Sequence, residues 1–489
     1  MQGHDVYWLE CNSAVDICVA KLGKSPIQKK VACLKCGVGG LRGYLYESPD
    51  PLTRYMASSE FASAQPGYSA ISTVASHFGM SEEIGTEDPE FQKMAADVQK
   101  SIDLAQAAAE QWIKHRKLDA VFCFNGRIDL THAVLKAAAS CGVPFVSVER
   151  SWHGQGIQLT LDGTPLTLRG FHDLVSGWRE KPLTKAQLWK AFGLIADRFQ
   201  KKAVGEFRQY NTDQRPGLVG TSRIIEWLYL PSSIFERVGH TDWKVGWKDD
   251  LHAIEQLIAR GVVNPAKLVV RGHPQWTTFS PESDKRYKEW SSRAGAQYIT
   301  SGSVLDTREL IWSSRAVLVY GSSAAFEAGL LGKPILNLSP TFYFEGGFLE
   351  NVVGPDQISS FIDRGFTMSP EEIVRKCLRT IYTINFRYMQ LTEQIQADDA
   401  YEYRFKGLEK VHYFEDLISK RKIEPDNSTM ATDTSQEDDF LATYMPDMYS
   451  NIGSEVFYTR VSVSEKEKGY QLHRKSLYKF VDYIDGWTR

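Results

Sequence analysis

Five short apolar runs, IIEWLYL, KLVV, AQYI, AVLVY and PILNL, recur between residues 224 and 338, separated by helical patterns such as WKDDLHAIEQLIARG and TRELIWSS. Strand-length runs alternating with helices predict a parallel sheet, because parallel neighbours are joined by crossovers. A shorter series lies upstream, between residues 119 and 152. There LDAVFCF reads as a strand, THAVLKAAASCG as a helix with a glycine stop, and VPFVSV as the next strand. The expected fold class is therefore α/β, with two Rossmann-like units in one chain. Upstream of both, PEFQKMAADVQKSIDLAQAAAEQWIKHRK reads as an Ala-rich amphipathic packing helix, and SPEEIVRKC opens with Ser369, Pro370 and Glu372 in a capping-box pattern.

A chain of 489 residues with 43% hydrophobic content can bury more than one core. The expected division is residues 1–220, residues 221–424, an acidic mobile linker over residues 425–439 (PDNSTMATDTSQEDD), and residues 440–489. The last segment is too aromatic for a disordered tail and is expected to dock back. No run approaches the ~20 apolar residues that span a bilayer, and MQGHDVYWLECN lacks the pattern of a signal peptide, so a cytoplasmic location is expected. A net charge of −3 gives no reason to expect nucleic acid as a partner.

Four of the seven cysteines, Cys11, Cys18, Cys33 and Cys36, crowd the N-terminus in the pattern C-x6-C-x14-C-x2-C. The closer pair has the spacing of a zinc knuckle, so a structural zinc site stands beside ordinary thiols as a reading of this segment. Cys123, Cys141 and Cys377 sit in apolar contexts and read as core residues.

Ligands of an open parallel sheet bind outside the carboxyl ends of its strands, so the residues just after each strand are the informative ones. After AVLVY comes GSSAAFEAGLLGKP, in which Gly321 permits a sharp turn and Ser322 and Ser323 stand where a helix starts. Hydroxyls, free N–H groups and a helix dipole would converge there on a phosphate; serine capping is the plainer alternative. Glu327 is one residue too far along for a capping box, which leaves its carboxylate for ligand hydroxyls such as those of a ribose. After KLVV comes Arg271-Gly272-His273-Pro274, where His273 could donate to a phosphate, Arg271 add charge and Pro274 fix the backbone. Ser232 and Ser233 come just after IIEWLYL. In the first unit, one strand delivers Asn125, Arg127 and Asp129, and the next delivers Glu149 and Arg150. These residues suit a polar substrate and offer a carboxylate for proton transfer, although a salt-bridge network would use the same residues.

Taken together, HP followed by DTRELIWSSRAVLVYGSSAAFEAGLLGKPILNL resembles the C-terminal half of the capsule polysaccharide biosynthesis glycosyltransferases. This superfamily includes β-Kdo transferases and, more distantly, bacterial sialyltransferases with an HP motif and a Ser/Thr pair. FNGRIDLTHAVLKAAASCGVPFVSVERSW is similar to segments of related surface-glycan transferases. The resemblance covers roughly residues 119–340. It implies a GT-B-like architecture: two Rossmann-like units facing a cleft, acceptor on the first, nucleotide sugar on the second, and here a C-terminal helical and aromatic extension. It further implies that His273, Ser322 and Ser323 hold the donor phosphate and that Glu327 lies by the nucleoside. Arg271, Pro274, Ser232 and Ser233 would complete the donor side, and Asn125, Arg127 and Arg150 the acceptor side. The acidic segment that supplies the base in the sialyltransferase relatives has no counterpart, which leaves Glu149 and Asp129 as candidates, Glu149 ahead.

The same C-terminal motifs are similar to those of teichoic acid glycerophosphotransferases, which use CDP-glycerol. A CMP-activated sugar is accordingly the favoured donor, and a glycan or lipid-linked molecule the acceptor, in surface or capsular polysaccharide assembly. Peripheral contact with the inner face of a membrane fits such an acceptor. No D-x-D triplet occurs in the chain, so the expected chemistry requires no cofactor. The competing readings are a nucleotide-sugar 2-epimerase, a CDP-glycerol glycerophosphotransferase and a non-catalytic nucleotide-binding scaffold.

Overall fold

The computed structural model describes residues 5–43, 48–56, 65–78, 86–152, 156–200, 214–215, 217, 225–232, 234–274, 276–389, 395–397, 403–405, 413–420, 430–454 and 457. The chain opens with α1 (Pro26–Gly43), α2 (Tyr68–Phe78) and α3 (Pro89–Arg116). Helix α3 is the long Ala-rich segment. Asp88 caps it by accepting from the backbone N–H groups of Glu90 (2.8 Å) and Phe91 (3.2 Å), and Pro89 occupies a position where no N–H is needed. Its buried stripe, Phe91, Ala95, Val98, Ile102, Ala105 and Ala109, recurs every three or four residues. These mostly small side chains let the next helix approach closely.

That helix, α4 (Asp129–Ser140), crosses from β1 (Val121–Phe124) to the parallel strand β2 (Phe145–Arg150). An antiparallel edge strand, β3 (Ile157–Leu161), completes the sheet and places Gln158 opposite Glu149. The first unit is thus one βαβ element with a hairpin partner.

Two helices, α5 (Arg169–Trp178) and α6 (Lys185–Phe199), precede the second sheet in the chain and pack on it. The sheet is built from β4 (Ile225–Leu230), β5 (Leu268–Arg271), β6 (Gln297–Ile299), β7 (Ser314–Val319), β8 (Ile335–Asn337) and β9 (Glu350–Asn351). Every pairing is parallel, in the order β9–β8–β7–β4–β5–β6. Crossovers by α7 (Asp250–Ala259), α8 (Pro281–Ala294), α9 (Thr307–Ser313) and α10 (Ala324–Leu330) cover both faces. That explains the uninterrupted apolar runs: Leu228, Leu230, Val269, Val317 and Val319 join one core, while Trp227, Tyr229, Leu268, Val270, Ala316 and Leu318 join the other. Two consecutive series leave in opposite directions from β4, so the order reverses between β4 and β7. A ligand crevice is expected there.

After α11 (Asp356–Arg364), helix α12 (Pro370–Tyr382) forms the capping box: Glu372 N–H donates to Ser369 Oγ and Ser369 N–H to the Glu372 carboxylate, both 3.2 Å. The acidic run expected as a linker differs from expectation over residues 435–439. These residues begin α13 (Ser435–Tyr444), and Glu437 is 1% exposed, accepting from Arg379 Nε (2.9 Å) and Nη2 (2.6 Å), from Arg375 Nη1 (3.1 Å) and from Leu183 N–H (2.9 Å). Low apolar content suggested disorder, but the carboxylate is held by arginines far away in sequence, which composition does not reveal. Residues 425–429 lie outside the described residues. Beyond them, Phe440 and Tyr444 of α13 and Ile452 of α14 (Met448–Gly453) are buried against α6 and the second sheet's helices. Among the described residues no helix is long and apolar enough to cross a membrane.

Candidate active site

A cleft of ≈ 680 Å³ lies between the two units, over the point where the strand order of the second sheet reverses. From the second unit it is lined by Ser232 after β4, by Arg271, Gly272, His273 and Pro274 at and after β5, and by Gly321, Ser322, Ser323 and Glu327 around the start of α10. The histidine and serine strand ends are not adjacent, as β4 stands between them. Ser233 lies outside the described residues.

The turn after β7 is shaped by an arginine. Gly321 has φ +73°, and a side chain there would meet the Arg237 guanidinium, which donates to the Tyr320 carbonyl (3.1 Å) and lies 4.5 Å from the centre of the Trp243 ring. Ser322 turns its hydroxyl to the N–H of Ala324 (3.3 Å), while its carbonyl accepts from Tyr343 (2.6 Å). Arg271 is 3% exposed and tied to the carbonyls of Thr300 and Ser303, the latter at 2.9 Å. Its Nε, also buried, has no acceptor among the described residues. Burial, reinforced by the Arg271 charge, pulls the His273 imidazole down to about 4, so the ring is neutral at physiological pH and presents one N–H donor.

The first unit contributes Phe124, Asn125, Arg127, Glu149 and Arg150. Asn125 (φ +63°) and Gly126 (φ +69°) turn the chain sharply after β1. In that turn the Asn125 side-chain oxygen accepts from Arg127 N–H (3.0 Å), and its Nδ2 donates to Glu149 Oε2 (2.7 Å). Glu149 also accepts from the N–H of Arg150 (2.9 Å). Burial nevertheless raises its carboxyl above the usual value of 4.5, with these two hydrogen bonds opposing the shift and the Glu236 charge adding to it. Arg127 is anchored to Ser72 Oγ (2.7 Å) and Ser76 Oγ (3.0 Å) of α2.

Asp129 does not reach the cleft. It is 3% exposed at the start of α4, where it accepts from the N–H of Val19 and of Leu130 (2.6 Å), so it pins the N-terminal segment to the first unit. Glu327 lines the cleft and faces an arginine there. Its Oε1 lies 3.7 Å from Arg198 Nη1, and burial pushes it upward while Arg198 and Arg308 oppose this. Arg198, near the end of α6, is itself lowered by burial and sits 4.9 Å from the centre of the Trp152 ring, which stacks on Phe326. Arg308 grips Asp306 with two 2.7 Å hydrogen bonds. Arg237 follows the strand end that carries Ser232, whereas Arg198 and Arg308 carried no motif; the folding of α6 and α9 brings these two to Arg127, Arg150, Arg237 and Arg271. The cleft lining thus holds six arginines and three glutamates, Glu149, Glu236 and Glu327. Such a concavity favours a ligand with several negative charges.

Cys11, Cys18, Cys33 and Cys36 stand in the N-terminal segment as free thiols. Among the described residues no three His, Cys, Asp or Glu side chains are gathered as metal ligands. Cys33 and Cys36 lie on α1, whereas Cys18 is half-buried near Asp129, and its thiol is pushed up to about 11 by burial and then by that carboxylate.

No family model and no curated protein matches the chain. Among solved structures it is similar to the KpsC β-Kdo 2,4 transferase of Thermosulfurimonas dismutans, with 15% identity, 59% of this chain and 81% of that chain covered, and a TM-score of 0.34. The KpsC β-Kdo 2,7 transferase of the same organism is 12% identical, with 55% and 79% covered and a TM-score of 0.33. A UDP-N-acetylglucosamine 2-epimerase is 16% identical, with 59% and 76% covered and a TM-score of 0.22.

Proposed function

We propose that the chain is a glycosyltransferase that moves a sugar from a nucleotide donor to a hydroxyl acceptor, with chemistry in the cleft between its two units. The observation that carries the reading is the arginine-rich crevice over the β4–β7 reversal, facing a half-buried carboxylate of raised pKa on the other unit. The donor phosphate binds among His273, Arg271, Ser322 and Ser323, with Arg271 Nε supplying a donor that has no acceptor within the described protein. As the bond to the sugar breaks, negative charge grows on the leaving phosphate oxygen. The neutral His273 N–H and the surrounding guanidinium groups stabilise it without reorganising, supplying the positive charge this step needs. Glu149, oriented by Asn125, takes the proton of the acceptor hydroxyl, and Phe124, 62% exposed at the cleft, offers an apolar platform for the acceptor. On the resemblance in the sequence, the favoured donor is a CMP-activated sugar and the acceptor a glycan or lipid-linked precursor of a surface polysaccharide.

The test is nucleotide release measured by mass spectrometry from CMP-, UDP- and GDP-sugars, with and without oligosaccharide or lipid-linked acceptors. Acceptor-dependent release with a mass gain on the acceptor is expected, unchanged by a chelator. Conversion of a donor to its isomer with no acceptor present would instead assign an epimerase. His273→Asn should lower kcat by roughly 10²–10³-fold, the cost of one leaving-group donor. A wild-type rate in that variant would remove His273 from the mechanism.

A further inference from the structure

We propose that α1 is a docking element that lays the first unit onto an anionic lipid surface. Ile27, Val31 and Leu34 are 77%, 46% and 68% exposed, and at spacings of four and three residues they form one stripe along the helix. Half-buried Val38 continues it. The side turned toward the body of the protein carries Cys33, Gly37 and Gly40, and a side chain at Gly37 would come within 3.9 Å of Glu10 Oε1. A surface helix of a globular protein buries its apolar face; this one turns its half-buried glycine side to the protein and presents the apolar side outward. None of the three exposed side chains joins a hydrophobic core among the described residues.

Charge identifies the occupant. At 100° per residue Lys30 and Lys35 fall on opposite flanks of the stripe, Lys24 precedes the helix, and α1 contains no acidic residue although the whole chain is net negative. Lysines beside an apolar stripe lay their methylene stems on it and lift their ammonium groups to headgroup level. Acidic headgroups complement that ring and the acyl boundary accepts the stripe. The loop before α1 is tied to the first unit by the Val19 N–H bond to Asp129, two residues from Arg127 in the cleft. The proposal stands apart from the donor reading and would survive its failure.

Flotation of the full chain with vesicles of phosphatidylcholine alone, and of phosphatidylcholine mixed with phosphatidylglycerol, tests it. The chain should partition onto the mixed vesicles and lose that binding as salt rises. Leu34→Glu, and separately the pair Lys30→Glu with Lys35→Glu, should each weaken binding by more than about tenfold with no change in Tm, because these side chains are exposed. Absence of binding to the mixed vesicles would overturn the proposal. So would equal binding by the variants, or a wild-type dimer in sedimentation that Leu34→Glu makes monomeric, which would assign the stripe to a second copy.

Discussion

Glu149→Gln is expected to lower kcat by about 10²–10⁴-fold while leaving Tm and donor affinity close to wild type. Glutamine keeps the size of the side chain and an oxygen to accept from Asn125 Nδ2, so the turn after β1 and the pairing of β2 with β3 persist. What is lost is the capacity to take a proton. The wild-type pH profile should carry the same signature. A base works only when deprotonated, so kcat/KM is full above the Glu149 pKa and falls as pH drops through it. Burial sets that fall above 4.5. His273, already neutral above about 4, adds no inflection near 6.5. A kcat within threefold of wild type in Glu149→Gln, about 0.7 kcal/mol, would exclude it as the base.

Glu437→Ala should destabilise the fold by about 3–5 kcal/mol in urea unfolding, because it strands the buried Arg379 guanidinium and the Leu183 N–H, while Arg375 keeps its 2.6 Å bond to Asp438. The effect should reach the cleft. Leu183 stands just before α6, and α6 delivers Arg198 to Glu327. Loosening α13 should therefore weaken donor binding as well as stability. Replacing Glu437 and Arg379 together by leucine and methionine should recover part of the loss, since an apolar pair leaves no uncompensated charge. A change below about 1 kcal/mol in the single variant would mean that α13 does not hold α6 in solution.

The second sheet was legible because its information is local. Runs such as KLVV and AVLVY are apolar throughout, as strands covered on both faces must be, and each leads directly into residues that line the crevice. Local motifs thus found His273, Ser322, Asn125, Arg127, Glu149 and Arg150. They missed contacts made at long range. Asp129 comes after a strand end like its neighbours, yet α4 turns it toward Val19, a partner 110 residues away. Glu327 has the spacing of a free carboxylate, but α6 folds back to pair it with Arg198. An arginine at the end of an amphipathic helix gives no sign, in one sequence, that the helix will cover a sheet formed later in the chain.

Whether the arginine-lined crevice holds the phosphate of a nucleotide donor is decided by a thermal-shift panel of CMP, CDP, UDP and GDP and their sugar conjugates against the wild-type chain, His273→Ala and Ser322→Ala. A ligand at about 100 times its Kd adds about 2.7 kcal/mol to stability, a shift that is easily resolved. At least one cytidine nucleotide should stabilise the wild-type chain, and the shift should shrink in both variants. If no nucleotide stabilises the protein, or the variants respond as the wild type does, the crevice is not a donor site.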